Sequence, residues 1–272
     1  MSDRTARLLL LCLALLSSTG VLLIALFVAL EGRAALPGLL HPTWSPEEGR
    51  FGALPMLAGS LAVTLGALLL AVPTGLGMAL FLTEVASPRL AALVRPLLQG
   101  LAGVPSVVYG FVGMSLLVPA IRTYLGGPGF SVLAGALVLA VMILPTVAAV
   151  AEDALRALPA AYREGAYALG ATPWQAVRRV LLPAARAGLV TAVVLGMGRA
   201  LGETMAVLMV TGNVAAPPLS PLDPARTLTG NIAMEMGYAT GRHREALFAT
   251  GALLLALVLL VNHLARRASS RR

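Results

Sequence analysis

The sequence predicts an all-α, polytopic membrane protein with six transmembrane helices and both termini in the cytoplasm. Of its 272 residues, 58% are hydrophobic and only 12% are charged, whereas a soluble domain carries about a quarter charged residues. The apolar residues also form blocks of about 20 residues, the length that a helix needs to cross a bilayer. These observations favour one compact helix bundle over two separate domains.

Apolar segments of spanning length give the positions of the six helices. They lie at about 8–30, 56–82, 97–120, 131–151, 188–212 and 245–265. The first apolar run, of about 23 residues, is longer than the core of a signal peptide and no clear cleavage site follows it, so we interpret it as a helix. We divide the chain into a first helix with an external segment (1–55), a transmembrane domain (56–265) and a basic tail (266–272).

The distribution of arginines sets the predicted orientation. Cytoplasmic segments of membrane proteins are enriched in basic residues. If the N-terminus is cytoplasmic, the inside segments hold about twice as many arginines as the outside ones. The inside group is Arg4, Arg7, Arg89, Arg95, Arg156, Arg163, Arg178, Arg179, Arg186, Arg266, Arg267, Arg271 and Arg272, and the outside group is Arg33, Arg50, Arg122, Arg226, Arg242 and Arg244.

Two absences in the composition restrict the chemistry. All 20 basic residues are arginine, and without a lysine the chain cannot form a P-loop, so any dependence on ATP must come from another polypeptide. The single Cys12 cannot form an intrachain disulfide. His41, His243 and His263 lack the spacing of metal ligands, and we expect neither a metal nor a cofactor. The net charge of +8 does not indicate nucleic-acid binding, since no basic patch is interleaved with aromatic residues. The arginines cluster between the apolar segments instead, as membrane topology requires.

Arg199 and Glu203 are the leading candidates for a functional site. They lie four residues apart in an otherwise apolar stretch, 190–213, and in a continuous helix this spacing places both side chains on one face. A charged side chain at the centre of a bilayer costs roughly 2.5–3.5 kcal/mol, so such residues usually face the bundle interior or a water-filled path. The alternative is an internal salt bridge that only stabilises the bundle.

The longest inside connection, at about 152–187, predicts two short helices. The first begins near Pro159 and ends at Gly170, which suits the residue after a helix C-terminus. The second begins with Thr172 as N-cap and Gln175 three residues later, a capping box, and Pro183 limits it. We expect Tyr167, Leu169 and Trp174 to form an exposed apolar surface near the corner, of the kind that usually meets a partner.

The same loop resembles the EAA loop of ABC importer permeases. The resemblance rests on Glu164-Gly165-Ala166, then Gly170 after three residues, and Val180-Leu181-Leu182-Pro183 after nine more, with Gly165 in place of alanine and Val180 in place of isoleucine. In that family the loop forms coupling helices that dock on an ATP-binding subunit. The resemblance therefore implies coupling roles for Glu164, Ala166, Gly170, Trp174, Leu182 and Pro183.

Three further segments are similar to the phosphate-specific permeases of the Pst system, and to the PstC type more than to the PstA type. They are 101–110 (LAGVPSVVYG), 199–207 (RALGETMAV) and 44–46 (WSP) with 51–55 (FGALP). The resemblance implies a phosphate permease subunit of the cytoplasmic membrane that is not itself an enzyme. It also implies four kinds of partner: a PstA-type permease, an ATP-binding subunit dimer, an extracytoplasmic phosphate-binding protein that docks at about 213–244, and membrane lipid.

The residue types in the spans suit a phosphate path. The planar guanidinium of Arg199 matches a tetrahedral oxyanion, and Glu203 could accept a proton from the P–OH of phosphate while repelling sulfate. Ser106 follows Pro105 and could supply a neutral donor, or bond its own preceding turn instead. We expect Thr204 to belong to the pathway region but to face a neighbouring helix, and Tyr109 to pack or to line a gate. A permease for sulfate or molybdate, or a self-sufficient secondary anion transporter, remains an alternative.

Overall fold

The computed structural model describes residues 3–270 as a bundle of α-helices with one short hairpin. Arg271 and Arg272 of the predicted tail lie outside the described residues. The α-helices, numbered α1 to α13 in chain order, are Asp3–Gly32, Leu54–Leu80, Pro88–Gly103, Ser106–Val112, Val118–Tyr124, Val132–Arg156, Ala160–Ala168, Pro173–Ala176, Leu182–Ala184, Arg186–Gly202, Met205–Val210, Leu228–Glu235 and Gly241–Ser270.

Short irregular elements join these helices. The π-helical turns Phe81–Val85, Gly113–Leu117 and Val177–Leu181 extend α2, join α4 to α5 and join α8 to α9. Two single 3₁₀ turns, Leu36–Gly38 and Pro46–Glu48, lie between α1 and α2. The antiparallel strands β1 (Trp44–Ser45) and β2 (Arg50–Phe51) pair in the same connection, with Trp44 opposite Phe51.

The prediction of an all-α membrane bundle is confirmed. In residues 3–270, five helical stretches are long and apolar enough to cross a membrane, and a sixth is added if one bent pair counts as a single span. The five are Arg7–Gly32, Leu54–Val85, Ser106–Tyr124, Val132–Arg156 and Gly241–Leu264, and the bent pair is Pro173–Ala184 with Arg186–Gly202, which meet at 72°.

The predicted start of the third span, at residue 97, is wrong. The structure places 97–103 at the end of α3 and begins a new helix at Ser106. Val104 and Pro105 are extended between them, with ψ of 129° and 139°. Proline disfavours a helical conformation in the residue before it, so the apolar run, although continuous in composition, is divided at this point.

The most extensive helix packing in the bundle is between α2 and α6. Gly75 allows the close approach, because a Cβ atom there would lie 2.9 Å from Cγ1 of Val147. At the level of the bilayer the core also takes residues of α11, including Val207 and Val210. Because lipid gives helices no hydrophobic reason to associate, this small-residue packing supplies much of the attraction between them.

Two smaller apolar clusters lie at the opposite ends of the bundle. One packs the π turn Val177–Leu181 against the last turns of α2 and α6 through Leu155 and Leu181. The other joins the β1–β2 hairpin to α12 and α13 through Trp44, Leu228 and Leu247. The first helix, α1, packs along α13, where Phe27 and Phe248 meet edge to face with ring centroids 5.6 Å apart.

A pair of glycine variants tests the α2–α6 contact. Gly75→Leu should destabilise the bundle by about 1–3 kcal/mol, because the added side chain overpacks the interface. Gly77→Leu is the matched control, since a Cβ atom at Gly77 has no neighbour within 4 Å. Thermal unfolding in mild detergent measures both variants. Equal melting temperatures for the two would contradict this account of the packing.

Candidate functional site

The fifth span is broken at the candidate charged pair. Helix α10 ends at Gly202, and α11 begins at Met205. Glu203 is extended, with φ −69° and ψ 133°, and Thr204 has φ −118° and ψ −62°. The prediction that Arg199 and Glu203 share one face of a continuous helix is therefore wrong.

Local chemistry explains the break. Glycine is a poor helix former, and Gly202 occupies the last helical position of α10. The carboxyl of Glu203 accepts a hydrogen bond from the backbone N–H of Ala206 at 3.1 Å, which satisfies one of the free donors at the start of α11. The hydroxyl of Thr204 donates to the carbonyl of Gly202 at 3.3 Å. The available sequence signal was Gly202, a poor helix former, followed by two polar residues that can bond to the nearby backbone.

Arg199 turns away from the chain's own core. It is exposed, and its Nη1 donates to the hydroxyl of Thr146 on α6 at 3.3 Å. Arg199 lies thirteen residues after Arg186, the first residue of α10, which is about 20 Å along the helix axis. In the described chain, Arg199 has no carboxylate within salt-bridge distance, so its charge remains available at membrane depth.

Glu203 turns inward instead. With four hydroxyl-bearing residues it lines a cavity of about 10 Å³, too small for a ligand. Those residues are Ser60, Thr64, Thr227 and Thr229. The backbone carbonyl of Glu203 also accepts a hydrogen bond from the Thr229 hydroxyl at 2.9 Å. These contacts fix the position of the break relative to α12.

The break just before the third span lies beside the break in the fifth. Ser106 is half-buried and begins α4, and the Tyr109 hydroxyl donates to the carbonyl of Leu101 at 2.7 Å, across the break. Helix α4 packs on α11, since a Cβ atom at Gly110 would lie 2.9 Å from Cα of Ala206. The structure therefore brings the helices that begin after the two breaks into contact.

The predicted hairpin of two short helices, which the sequence resemblance links to coupling, is present. Gly170 follows α7 with φ +78°, a left-handed conformation that glycine adopts without strain, and Thr172 and Gln175 form the predicted capping box. At the corner, Leu169 is 91% exposed and Trp174 is 64% exposed. Pro183 does not end the helical path, which continues to Ala184 before the bend.

The six predicted coupling residues divide into two groups. Glu164, Gly170, Trp174 and Pro183 are exposed. Ala166 is buried, and Leu182 packs against the apolar cluster at this end of the bundle. The exposed residues are therefore accessible to a partner, whereas the other two seat the hairpin on the bundle.

An ion pair that the sequence analysis missed connects the hairpin to two spans. Arg163 on α7 donates through Nη2 to the carboxylate of Glu84, in the π turn after α2, at 2.7 Å. The same Nη2 lies 3.4 Å from the carbonyl of Leu155 on α6. Hydrogen bonding to Glu84 raises the pKa of Arg163 above its ordinary value, so the guanidinium stays charged at all physiological pH.

A buried cluster around Glu235 organises the opposite end. Its two carboxylate oxygens contact Arg226 at 2.6 Å, His243 at 2.7 Å and the indole N–H of Trp44 at 2.9 Å. Trp44 and Glu235 are 191 residues apart in sequence, so no local pattern indicated their contact. The cluster fixes the β1–β2 hairpin on α12 and α13.

The predicted docking loop is only partly at the surface. Residues 227–231, expected to contribute to docking, are buried at the start of α12, where the N–H of Leu228 donates to the Ser60 hydroxyl at 2.9 Å. That part of the prediction is wrong. In the same loop, Leu219 and Tyr238 are strongly exposed.

Comparison with known proteins identifies the family. A family model described as "Binding-protein-dependent transport system inner membrane component" matches residues 71–272. The chain belongs to this family. Relatives include the probable ABC transporter permease protein YqgH of Bacillus subtilis, 45% identical over 89% of this chain and 80% of that protein. The phosphate transport system permease protein PstC of Pasteurella multocida is 36% identical over 84% of this chain and 78% of that protein.

Solved structures share the fold of this chain. A bacterial ABC transporter that imports alginate matches with a TM-score of 0.66 and 19% identity, over 97% of this chain and 98% of that chain. The inward-facing MetNI methionine ABC transporter matches with a TM-score of 0.60 and 23% identity, over 84% of this chain and 98% of that chain. The chain is thus a multi-pass ABC importer permease subunit with the type I fold.

Two variants of Glu203 test its capping role. Glu203→Ala removes the acceptor for the Ala206 N–H and should destabilise the protein by about 1 kcal/mol. Glu203→Gln keeps an Oε1 acceptor and should retain most of the stability. Thermal unfolding in detergent compares the two with wild type. If both variants melt at the wild-type temperature, the carboxyl does not hold the break.

Proposed function

We propose that this chain is one of two permease subunits of an ATP-driven importer that carries inorganic phosphate across the cytoplasmic membrane. The phosphate assignment is supported by similarity to several PstC proteins, including 37% identity to that of Haemophilus influenzae. A PstA-type permease completes the pathway, two ATP-binding subunits hydrolyse ATP, and an extracytoplasmic binding protein delivers phosphate.

The position of Arg199 carries the proposal. It is a permanent cation, exposed at membrane depth beside a helix break, and Thr146 is its hydrogen-bond partner. Lipid does not accept an exposed charge at such a position without a large cost. A second permease packed on this face would enclose Arg199 in an aqueous path, where its planar donors can bind a tetrahedral oxyanion.

The other predicted pathway residues act around Arg199. Glu203 holds α11 in place through its cap, and the inward position of its carboxyl gives the residue a positioning role rather than a direct choice between anions. Ser106 begins α4, and its hydroxyl supplies a neutral donor near the break. Thr204 precedes α11, and because its hydroxyl donates to the Gly202 carbonyl it helps to hold the break.

The topology supports placing both termini on the cytoplasmic side. Helices α1 and α13 are antiparallel, because Gly32 at the end of α1 packs on Ala249 near the start of α13. Their outer termini therefore lie at one end of the bundle. The coupling hairpin follows α6 at that same end, together with many of the arginines assigned to the cytoplasm. The division of the chain at residues 55 and 265 stays a prediction.

Labelled-phosphate uptake by cells that lack this chain but retain its partners tests the proposed function. Wild type should restore uptake that excess sulfate does not inhibit. Arg199→Ala should lower uptake by about 10–100-fold, because a charged hydrogen bond contributes roughly 1.5–3 kcal/mol. Arg89→Ala, a change at an exposed arginine in the first turn of α3, is the matched control and should transport normally.

Three results would contradict parts of this proposal. Inhibition by sulfate, or no restored uptake, would overturn the phosphate assignment. Normal uptake by Arg199→Ala would remove Arg199 from the path. Uptake of sulfate gained by Glu203→Gln would show that the carboxylate itself selects the anion, which its inward position argues against.

The Arg163–Glu84 pair is proposed to transmit force from the hairpin to the spans. It joins α7 to the end of α2, and its 2.7 Å contact is only partly exposed. Arg163→Gln should leave the rate of ATP hydrolysis by the assembled transporter unchanged. It should lower the amount of phosphate transported per ATP by a factor on the order of ten. Proteoliposomes in which both rates are measured together provide the readout.

Charge reversal supplies the control for this prediction. The double variant Glu84→Arg/Arg163→Glu should regain part of the lost coupling, because it restores opposite charges at the same two positions. Glu48→Gln, which breaks an exposed pair with Arg50, should leave coupling unchanged. Wild-type transport per ATP in Arg163→Gln would show that the pair only stabilises the fold.

A further inference from the structure

We propose a second anion-binding position in the groove between α3 and α6, on the route from Arg199 to the coupling-hairpin end of the bundle. This inference rests on the proposed function and extends it. The groove has a volume of about 450 Å³, which is ample for a hydrated oxyanion. Its ligand class is inorganic phosphate or a similar tetrahedral oxyanion.

One face of each helix lines the groove. From α3 the lining residues follow the i, i+3, i+4, i+7 pattern of one helix face, and those from α6 recur with the same helical period. The residues from α3 are Arg95, Leu98, Gln99 and Ala102, and those from α6 are Pro145, Thr146, Ala149, Val150, Glu152, Asp153 and Arg156. Ala102 and Ala149 are small, and this keeps the space between the helices open.

Thr146 connects the groove to the site at the break. It lines the groove, and its hydroxyl accepts the hydrogen bond from Arg199. From Thr146 to Asp153 the groove follows α6 for seven residues, which is about 10 Å. Because α6 ends at Arg156, just before the coupling hairpin, the groove leads from Arg199 toward that end of the bundle.

The arginine side chains in the groove supply N–H donors for an anion. Glu152 is buried, and its Oε1 lies 2.7 Å from Nε of Arg95 and 3.4 Å from Nη1 of Arg156. Asp153 is the other carboxylate of the lining. The lining thus holds two arginines and two carboxylates, but Glu152 contacts only Nε of Arg95 and Nη1 of Arg156. The other N–H donors of these two guanidinium groups can bind an anion, and Arg199 adds positive charge about 10 Å farther along α6.

The groove differs from another cavity on the membrane-spanning surface. The cavity between α2 and α6 is lined almost entirely by apolar residues such as Leu65, Leu69 and Leu133, as expected for a surface that faces lipid. A groove that contains Gln99, Thr146 and four charged residues is costly against lipid. Water and an anion in the groove provide hydrogen-bond partners for these polar and charged side chains.

Cysteine accessibility tests whether the groove holds water and anion. In a Cys12→Ser background, which has no other thiol, Gln99→Cys is treated with an anionic methanethiosulfonate in inside-out vesicles of the assembled transporter. We expect rapid modification that inhibits ATP-driven phosphate transport out of the vesicle lumen and is slowed by phosphate. Leu69→Cys, in the apolar cavity, is the matched control and should not react.

A double variant tests Arg95 separately from its structural partner. Arg95→Gln/Glu152→Gln removes both charges of the 2.7 Å pair, so no buried carboxylate is left without its closest partner. If Arg95 only neutralises Glu152, the double variant should transport like wild type. If Arg95 binds the anion, the KM for phosphate should rise about tenfold or more while Glu152→Gln alone retains a KM close to wild type.

The outcomes separate this inference from the proposed function. Phosphate uptake by the Cys12→Ser background establishes the transport activity first, and its absence would count against the proposed function alone. In vesicles that do transport phosphate, an unreactive Gln99→Cys would show that a partner fills the groove and would overturn the inference. A reactive cysteine without phosphate protection, together with normal KM in the double variant, would overturn it as well.

Discussion

The structure depends on how backbone polar groups are satisfied at the break before the third span and at the break within the fifth. In hydrocarbon an unpaired N–H or C=O costs several kcal/mol, so non-helical backbone survives only where protein or a water-filled cavity surrounds it. Side chains meet this constraint here. The Glu203 carboxyl accepts from Ala206, and the Tyr109 hydroxyl donates to Leu101. Both breaks can therefore persist beside Arg199, whose guanidinium is exposed at membrane depth.

Helix α6 connects that site to the coupling hairpin. In the middle of α6, Thr146 accepts a hydrogen bond from Arg199. In its last turns, Glu152 pairs with two arginines, and apolar residues pack against the π turn of the hairpin. Arg163 then links α7 to the end of α2, the helix that packs most closely on α6. A movement imposed on the exposed corner by a partner would thus reach the anion site through two rigid, closely packed helices.

Much of the fold could be predicted because its signals are local. The capping box at Thr172 and the terminator Gly170 depend on residues a few positions apart, and the apolar runs are long. The break at Glu203 was missed because apolar composition continues through it and hides the capping residues. The cluster at Glu235 and the groove between α3 and α6 required contacts between distant segments, which a single sequence does not specify.

The most direct test of the central claim is a cryo-electron microscopy structure of the assembled transporter with phosphate. The account predicts density for a tetrahedral anion about 3 Å from the Arg199 guanidinium, in a path between the two permease subunits, with α10 and α11 still broken at Glu203. An Arg199 that faces lipid, or that pairs with a carboxylate of the second permease while phosphate binds elsewhere, would contradict it.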